Sequence, residues 1–360
     1  MKKNNYINYI IRRALNLQPG QMVEIVGSSY LKEFVELLSL ACLKFGASKI
    51  YVKYTDGYEL ENKIDIGYDK YIEEDIKHYK DLIENDFCRI VLHSPYLYPV
   101  VANKDKLNLY KASLTKLEFV NEYFINRINQ KTICAVANPF WAQKLQISED
   151  DLWNQIFSLL KGINSTLKFK NYLNSLNLEK LKFISPKNNL EVEIIKNSQF
   201  QAVYQKTIKG VRYMPNLPSL EVYIAPLKYG VNGQIFANKP LNYNGQIYSD
   251  YQVFFKEGKV IYQTIINEIT KDDDALTYVG EVALCQTIKN NTFFSTLLDE
   301  NLGCHLGLGF AYPYGITNTS LINHCSKHID LIFGDKDIIV KGINQGNEII
   351  LMENGLFKYE

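Results

Sequence analysis

Two hydrophobic periods run along this chain, and the change from one to the other divides it. In the first half, apolar residues recur at helical spacing in blocks that short apolar runs separate. Tyr6, Ile7, Ile10, Ile11, Ala14 and Leu15 predict an opening amphipathic helix, and Pro19-Gly20 predicts the turn that ends it. Met22 to Val26 reads as a short buried strand. Phe34, Leu37, Leu38, Ala41, Cys42 and Phe45 predict a helix from Lys32 to Phe45, stopped by Gly46. Ile50, Val52 and Tyr54 alternate as in a strand, and an acidic helix is expected around Ile72 to Asn85. Cys88 to Leu92 and Ile133 to Val136 read as further strands, while Asp150 to Leu160 and Leu167 to Leu176 read as helices that close this half. Alternation of strand and helix implies a parallel α/β sheet.

After Leu178 the period shortens to two. Leu190, Val192 and Ile194 alternate with Glu191 and Glu193. Tyr251 to Phe255 and Val260 to Gln263 flank Lys256-Glu257-Gly258-Lys259, which predicts a hairpin with a glycine turn. Asn232-Gly233 and Asn244-Gly245 read as punctuation between short strands. The expected fold is therefore an α/β N-terminal domain over 1–180, then an α+β, β-rich domain over 181–360, with the boundary near 178–182. Neither repeats nor low-complexity linkers interrupt it.

Composition narrows the function classes. A length of 360 residues allows two or three domains, and 46% hydrophobic with 22% charged residues describes an ordinary globular chain. A formal net charge of +1 argues against a nucleic-acid footprint. No apolar run reaches the ~20 residues of a membrane span. Asn4, Asn5, Asn8, Arg12 and Arg13 interrupt any signal-peptide core, so a cytoplasmic protein is expected. The six cysteines are scattered without a CxxC pair, which fits reduced thiols. Neither GxGxxG nor GxxxxGK[ST] opens a helix, so nucleotide binding has no support. Trp141 and Trp153 read as core or interface residues.

The chemistry gathers between Gly280 and Gly334. His305, His324 and His328 fall there, as do Glu281, Glu300 and Asp330. Imidazole and carboxylate together suit a borderline divalent metal such as zinc or cobalt. Glu281 lies in the apolar stretch Tyr278 to Leu284 and is either a strand-end glutamate or a carboxylate that needs a partner. His305 sits before two glycines and is either a core residue or a ligand. His328 and Asp330 share one face of a strand, so both can reach one metal. His324 and His328 form the alternative pair, at helical i, i+4 spacing but without the Glu of HExxH.

These residues, with others around them, resemble the M29 metallopeptidases, the family of the thermophilic aminopeptidase T and aminopeptidase S. The matching blocks are Asn216-Leu-Pro-Ser-Leu-Glu-Val222 with Ala225-Pro226, Val231-Asn-Gly233, and Lys239-Pro-Leu-Asn-Tyr-Asn-Gly245. They continue with Gly280-Glu-Val-Ala-Leu284, Leu298-Asp-Glu-Asn301, Cys304-His305, Gly309, Ala311-Tyr-Pro313, His328-Ile-Asp330 and Gly334. In the first half, Leu17-Gln-Pro-Gly-Gln21 and Trp141-Ala142 also match. The resemblance covers essentially the whole chain. The stretches Glu281 to His305 and Tyr312 to His328 are shorter than is usual in the family, and Ile184 to Leu190 lacks its Gly-Thr-Asp pattern. None of these departures removes a ligand.

The resemblance implies a metal-dependent aminopeptidase that hydrolyses N-terminal residues from short peptides through a water activated by two metals. The family's metal-site residues fall on Glu221, Glu281, His305, Tyr312, His328 and Asp330. Glu281 is assigned as the bridge, Glu281 and Tyr312 are also expected to act in catalysis, and Asp299 and Glu300 are given the support of His305. Two divalent ions per chain are expected, zinc or cobalt before magnesium or manganese. A homodimer built on the 1–180 domain is implied, with neither nucleic acid nor membrane as partner. Two rivals stay open: an impaired family member that binds peptides without turnover, and a dinuclear phosphoesterase. The second is disfavoured because the 280–334 window carries only Lys289 and Lys327 for a phosphate.

Overall fold

The computed structural model describes residues 3–55, 69–96, 112–243, 246–262, 264–271, 273–287, 292–334 and 336–359. Asn244-Gly245 lies outside them. Two compact units form, one from 1–160 with 204–218, the other from 161–203 with 219–360.

The first unit is built on the parallel sheet that the alternating pattern implies. Strands β1 (Met22–Gly27), β2 (Lys49–Tyr54), β3 (Cys88–His93) and β4 (Lys131–Ala135) lie in the order β4-β3-β1-β2, all parallel. Beyond β4 the sheet gains a two-residue strand, Asn216–Leu217, from the returning segment. Helix α1 (Lys3–Tyr9) continues into a π-helical turn, Ile10–Ala14, rather than staying α-helical as the spacing predicts. Ile10, Ile11 and Ala14 are buried there, as the spacing expects. Helix α2 (Lys32–Lys44) buries Phe34, Val35, Leu38 and Cys42. Leu37 belongs to the predicted apolar face but lies 48% exposed. Helices α3 (Asp69–Glu84) and α4 (Glu118–Ile125) bring Ile72, Tyr79, Leu82, Val120, Tyr123 and Phe124 together around Phe87. Trp141 and Trp153 are buried.

Beneath that cluster lies a buried ion pair. Glu24 of β1 and Arg89 of β3 are register partners, so their side chains leave the same face of the sheet. Arg89 Nε donates to Glu24 Oε2 at 2.5 Å, and the Tyr79 hydroxyl donates to Glu24 Oε1 at 3.0 Å. The Arg89 guanidinium lies 5.0 Å from the Phe124 ring centroid and 5.4 Å from that of Phe87, which keeps water away.

The second unit is antiparallel, as a period of two requires. One sheet has eight strands, in the order Lys259–Tyr262, Tyr251–Lys256, Pro226–Ala237, Asn189–Ile194, Lys180–Ile184, Ile339–Asn344, Asn347–Glu353 and Leu356–Phe357. The other has five, β9-β8-β7-β6-β5, namely β5 (Gln201–Ala202), β6 (Val222–Ile224), β7 (Val279–Leu284), β8 (His305–Gly309) and β9 (His328–Ile332). The helix Ile163–Ser175, read from the sequence with the first half, packs in this unit. Its Phe169 stacks on Phe357 with ring centroids 3.9 Å apart, and Thr166 Oγ1 donates to the Leu220 carbonyl at 3.3 Å.

The predicted hairpin forms between Tyr251–Lys256 and Lys259–Tyr262. Glu257 and Gly258 have φ of 48° and 75°, the left-handed pair that a two-residue turn needs to match strand twist. Asn232-Gly233 does not punctuate. It lies inside the strand Pro226–Ala237. Glycine is needed there because a Cβ would come 2.1 Å from the Asn189 carbonyl oxygen. Asn232 Oδ1 instead accepts a hydrogen bond from the Glu257 amide at 2.9 Å.

Removing Arg89 leaves the Glu24 carboxylate buried without its cation. Arg89→Ala is therefore expected to destabilise the first unit by about 3–5 kcal/mol, measured as the shift of its urea unfolding transition. A shift below about 1 kcal/mol would show that the pair contributes little.

Candidate metal centre

Strand parity decides which side chains share a face of the five-stranded sheet. Glu281 is opposite Gly307, and Gly307 is opposite Asp330, so one row crosses β7, β8 and β9. Ala283 is opposite His305 on one side and Tyr223 on the other. Residues two apart in a strand point the same way. Glu221, two before Tyr223, therefore shares its face with Glu281, His305, His328 and Asp330.

Two donor groups result. Glu221, Glu281 and His305 offer ligand atoms that all lie within 4.8 Å of one another, and so do Glu281, His328 and Asp330. Glu281 is common to both. His305 Nε2 lies 3.3 Å from Glu221 Oε2, and His328 Nε2 lies 2.9 Å from Asp330 Oδ1 and 3.2 Å from Glu281 Oε2. The second ring nitrogens meet backbone carbonyls: His328 Nδ1 is 2.9 Å from the Phe310 oxygen, and His305 Nδ1 is 3.4 Å from that of Gly303. A carbonyl only accepts, so each contact places a proton on Nδ1 and turns Nε2 toward the carboxylates.

Charge in this pocket is unbalanced. Burial is the largest influence on Glu221 and raises its pKa, the His305 hydrogen bond opposing it and Glu281 adding to it. Glu300 is buried too, and its pKa rises well above the usual carboxylate value, through burial first and then Glu221, Asp330 and Glu281. Burial alone would depress His305, but the hydrogen bond to Glu221 and the charge of Asp330 outweigh it and lift the imidazole to about 9. His328 is raised for the same reason by Asp330 and Glu281. Asp330 is lowered, because His328 outweighs its burial. Protons held on imidazoles and carboxylates thus offset several negative charges. Divalent cations offset them more fully, and the donor set suits such ions: neutral imidazole nitrogen and carboxylate oxygen on five side chains.

The other sequence expectations find different places. Tyr312 follows β8, its ring centroid 5.5 Å from that of His328 and 5.9 Å from that of Tyr223. His324 does not join the donors, since its Nε2 lies 3.1 Å from the Thr319 carbonyl on an exposed loop. Asp299 does not orient His305. Its carboxylate accepts from the Phe293 and Ser295 amides at 2.6 and 2.9 Å and so ties down the preceding loop.

Two contributors stand in stretches that the sequence singled out but received no role there: Gly307, one of the two glycines after His305, and Asn301, the last residue of a matching block. Gly307 stands between Glu281 and Asp330, where a Cβ would come 2.3 Å from His328 Cε1 and 3.0 Å from Glu281 Cβ. Its signal was the alternation of small and large residues in His305-Leu-Gly-Leu-Gly309. Asn301 Oδ1 accepts from the Leu220 amide, while its Nδ2 donates to the Leu297 carbonyl at 2.8 Å. It thereby fixes the residue before Glu221 to the segment before His305.

Comparison with known proteins agrees over the full length. A family model described as thermophilic metalloprotease (M29) matches residues 1–357. Aminopeptidase 2 of Geobacillus stearothermophilus is 26% identical over 99% of this chain and 98% of its own. Aminopeptidase AmpS of Bacillus subtilis is 25% identical over 98% of each. The structure of wild-type AmpT from Thermus thermophilus has the same fold, with a TM-score of 0.86 at 22% identity, covering 99% of this chain and 98% of that one.

Gly307 generates a test of the pocket. Gly307→Ala puts a methyl where the His328 ring lies, and that ring is held at both nitrogens. Cobalt or zinc affinity is expected to fall about 10–100-fold, as for loss of an orienting contact. Far-UV circular dichroism should stay unchanged. An unaltered titration curve would count against this geometry.

Proposed function

We propose, from the premise that this chain belongs to the thermophilic metalloprotease family M29, that it is a metal-dependent aminopeptidase acting on short peptides. The observation that carries this reading is the meeting of two donor groups on one carboxylate, Glu281. Its relatives bear the names of aminopeptidases, which supports the choice of bond. In this reading Glu221 and His305 would hold one ion, His328 and Asp330 a second, and Glu281 both. Zinc or cobalt there would supply Lewis acidity and an acidified water.

The remaining roles belong to the chain. The Phe310 and Gly303 carbonyls keep each Nε2 aimed at its carboxylates. Burial, then Glu281 and Asp330, hold the Tyr312 phenol well above its usual pKa, so it keeps its proton. It would donate that hydrogen bond to the carbonyl oxygen that gains charge during attack. A carboxylate not saturated by cations would receive the free amino group of the substrate, which restricts cleavage to the first peptide bond.

The proposal extends to a cytoplasmic homodimer. All six cysteines are free, which supports a reducing compartment. Among the described residues, no helix is long and apolar enough to cross a membrane.

Hydrolysis of an aminoacyl chromogenic amide in the presence of cobalt or zinc, lost on chelation and regained on adding metal, is the expected result. Glu281→Gln should lower kcat/KM by more than the ~100-fold typical of outer contacts, with the fold retained. Full activity in that variant would remove Glu281 from the site. Turnover of an aryl phosphate but no amide would replace the peptidase reading with a phosphoesterase.

A further inference from the structure

One row of side chains crosses the parallel sheet of the first unit. Tyr51 of β2, Glu24 of β1, Arg89 of β3 and Lys131 of β4 are register partners in turn, so they leave the same face. The row holds two cations and a single carboxylate. Glu24 is already taken, by Arg89 Nε at 2.5 Å and by the Tyr79 hydroxyl at 3.0 Å. Lys53, on the same face, has Asp75 at 3.9 Å and donates to the Tyr79 oxygen at 2.8 Å. Among the described residues no carboxylate forms an ion pair with Lys131. Its Nζ lies 6.0 Å from the Phe124 ring centroid of α4, at the outer limit of a cation–ring attraction. The adjoining strand Asn216–Leu217 brings no ionisable side chain. A lysine so placed holds its proton weakly. Burial first, then the charge of Arg89, bring its pKa down to about 8, with Glu24 opposing them. The side chain is half-buried and not sealed, so a small reagent reaches it. A neutral amine is a nucleophile, which an ammonium is not.

We propose that Lys131 is an acylation site, its amine taking the acyl group of an acyl phosphate. The nitrogen lone pair forms the N–C bond. The C–O bond to phosphorus's oxygen breaks, its electron pair leaves with inorganic phosphate, and the surplus amine proton passes to solvent. Two features of the row favour this step. The Arg89 guanidinium beside the amine is the cation that an anionic donor and its departing phosphate would meet. The product amide carries no charge, so acylation breaks no ion pair and ends the repulsion between two neighbouring cations. At a paired lysine, such as Lys180 with Glu191 at 3.0 Å, the same step would lose that pair.

Treating the full chain with acetyl phosphate across a range of pH, and reading each lysine by peptide mass spectrometry, tests it. A pKa near 8, against about 10.4 for an ordinary lysine, makes the neutral fraction on the order of a hundredfold larger at neutral pH. Half-burial and weaker basicity take back part of that advantage. Lys131 is therefore expected to be acetylated at least about tenfold faster than the median exposed lysine, and its rate should level off above about pH 9 while the others still climb. In Lys131→Arg, which keeps a cation on the row, the first acetyl group seen in the intact mass should disappear. With a neutral aryl acetate as donor, the advantage of Lys131 should shrink. Acetylation of Lys131 no faster than the median, or rising in step with the exposed lysines through the whole range, would overturn the proposal. An advantage as large with the neutral ester would overturn the choice of an acyl phosphate.

Discussion

Everything in the β-rich unit answers to one difficulty: several carboxylates must be kept close together away from bulk water. An isolated buried ion costs several kcal/mol, and like charges side by side add to it. The sheet meets the geometric half of the difficulty. Antiparallel register places Glu281, Gly307 and Asp330 in one row, and strand parity keeps Glu221, His305 and His328 on the same side. A slip of one residue in any of these strands would send its donor side chain to the opposite face. Asn301 and the carbonyls of Gly303 and Phe310 lock the arrangement from outside. The chemical half is met by protons or by metal ions.

The α/β unit solves a smaller version differently. Glu24 is paired with one guanidinium and one phenol, and three aromatic rings surround the cation. Charge is balanced there without any added ion. Such a pair sets the register of β1 against β3 and leaves no donor for chemistry. The contrast separates a buried charge matched by a cation of the chain from one that sits among further carboxylates more clearly than burial does, because Glu24 and Glu281 are both buried.

Much of this was legible in the residues, and the failures have physical causes. The parallel sheet followed from helical blocks between apolar runs, and the hairpin at Glu257-Gly258 from its turn chemistry. The sharing of a face by His328 and Asp330 followed from a period of two. Sequence could not decide whether Glu281 was a strand-end or a buried residue, because its apolar neighbours allow both; at 4% exposure it is buried. Asn232-Gly233 has a turn's composition, but its glycine answers a close backbone approach that depends on Asn189, 44 residues earlier in the chain. Leu37 fitted the helical pattern of α2, yet periodicity does not say which of two apolar stripes faces inward. Asp299 was given the support of His305 because it is present in a matching block, while its carboxylate serves backbone amides instead.

The returning segment 204–218 makes the first unit discontinuous. Asn216–Leu217 pairs with Ile133 and Cys134 of β4, and the Met214 amide donates to the Ala14 carbonyl at 2.7 Å. A hybrid made with a relative by a single crossover after Leu160 would therefore inherit this seam from the wrong parent. The borrowed piece would have to fit the rim of a sheet with which it did not evolve. Only an exchange with three junctions transplants the unit whole, so recombination across this family should tolerate swaps that carry 204–218 with the N-terminal block and penalise those that leave it behind.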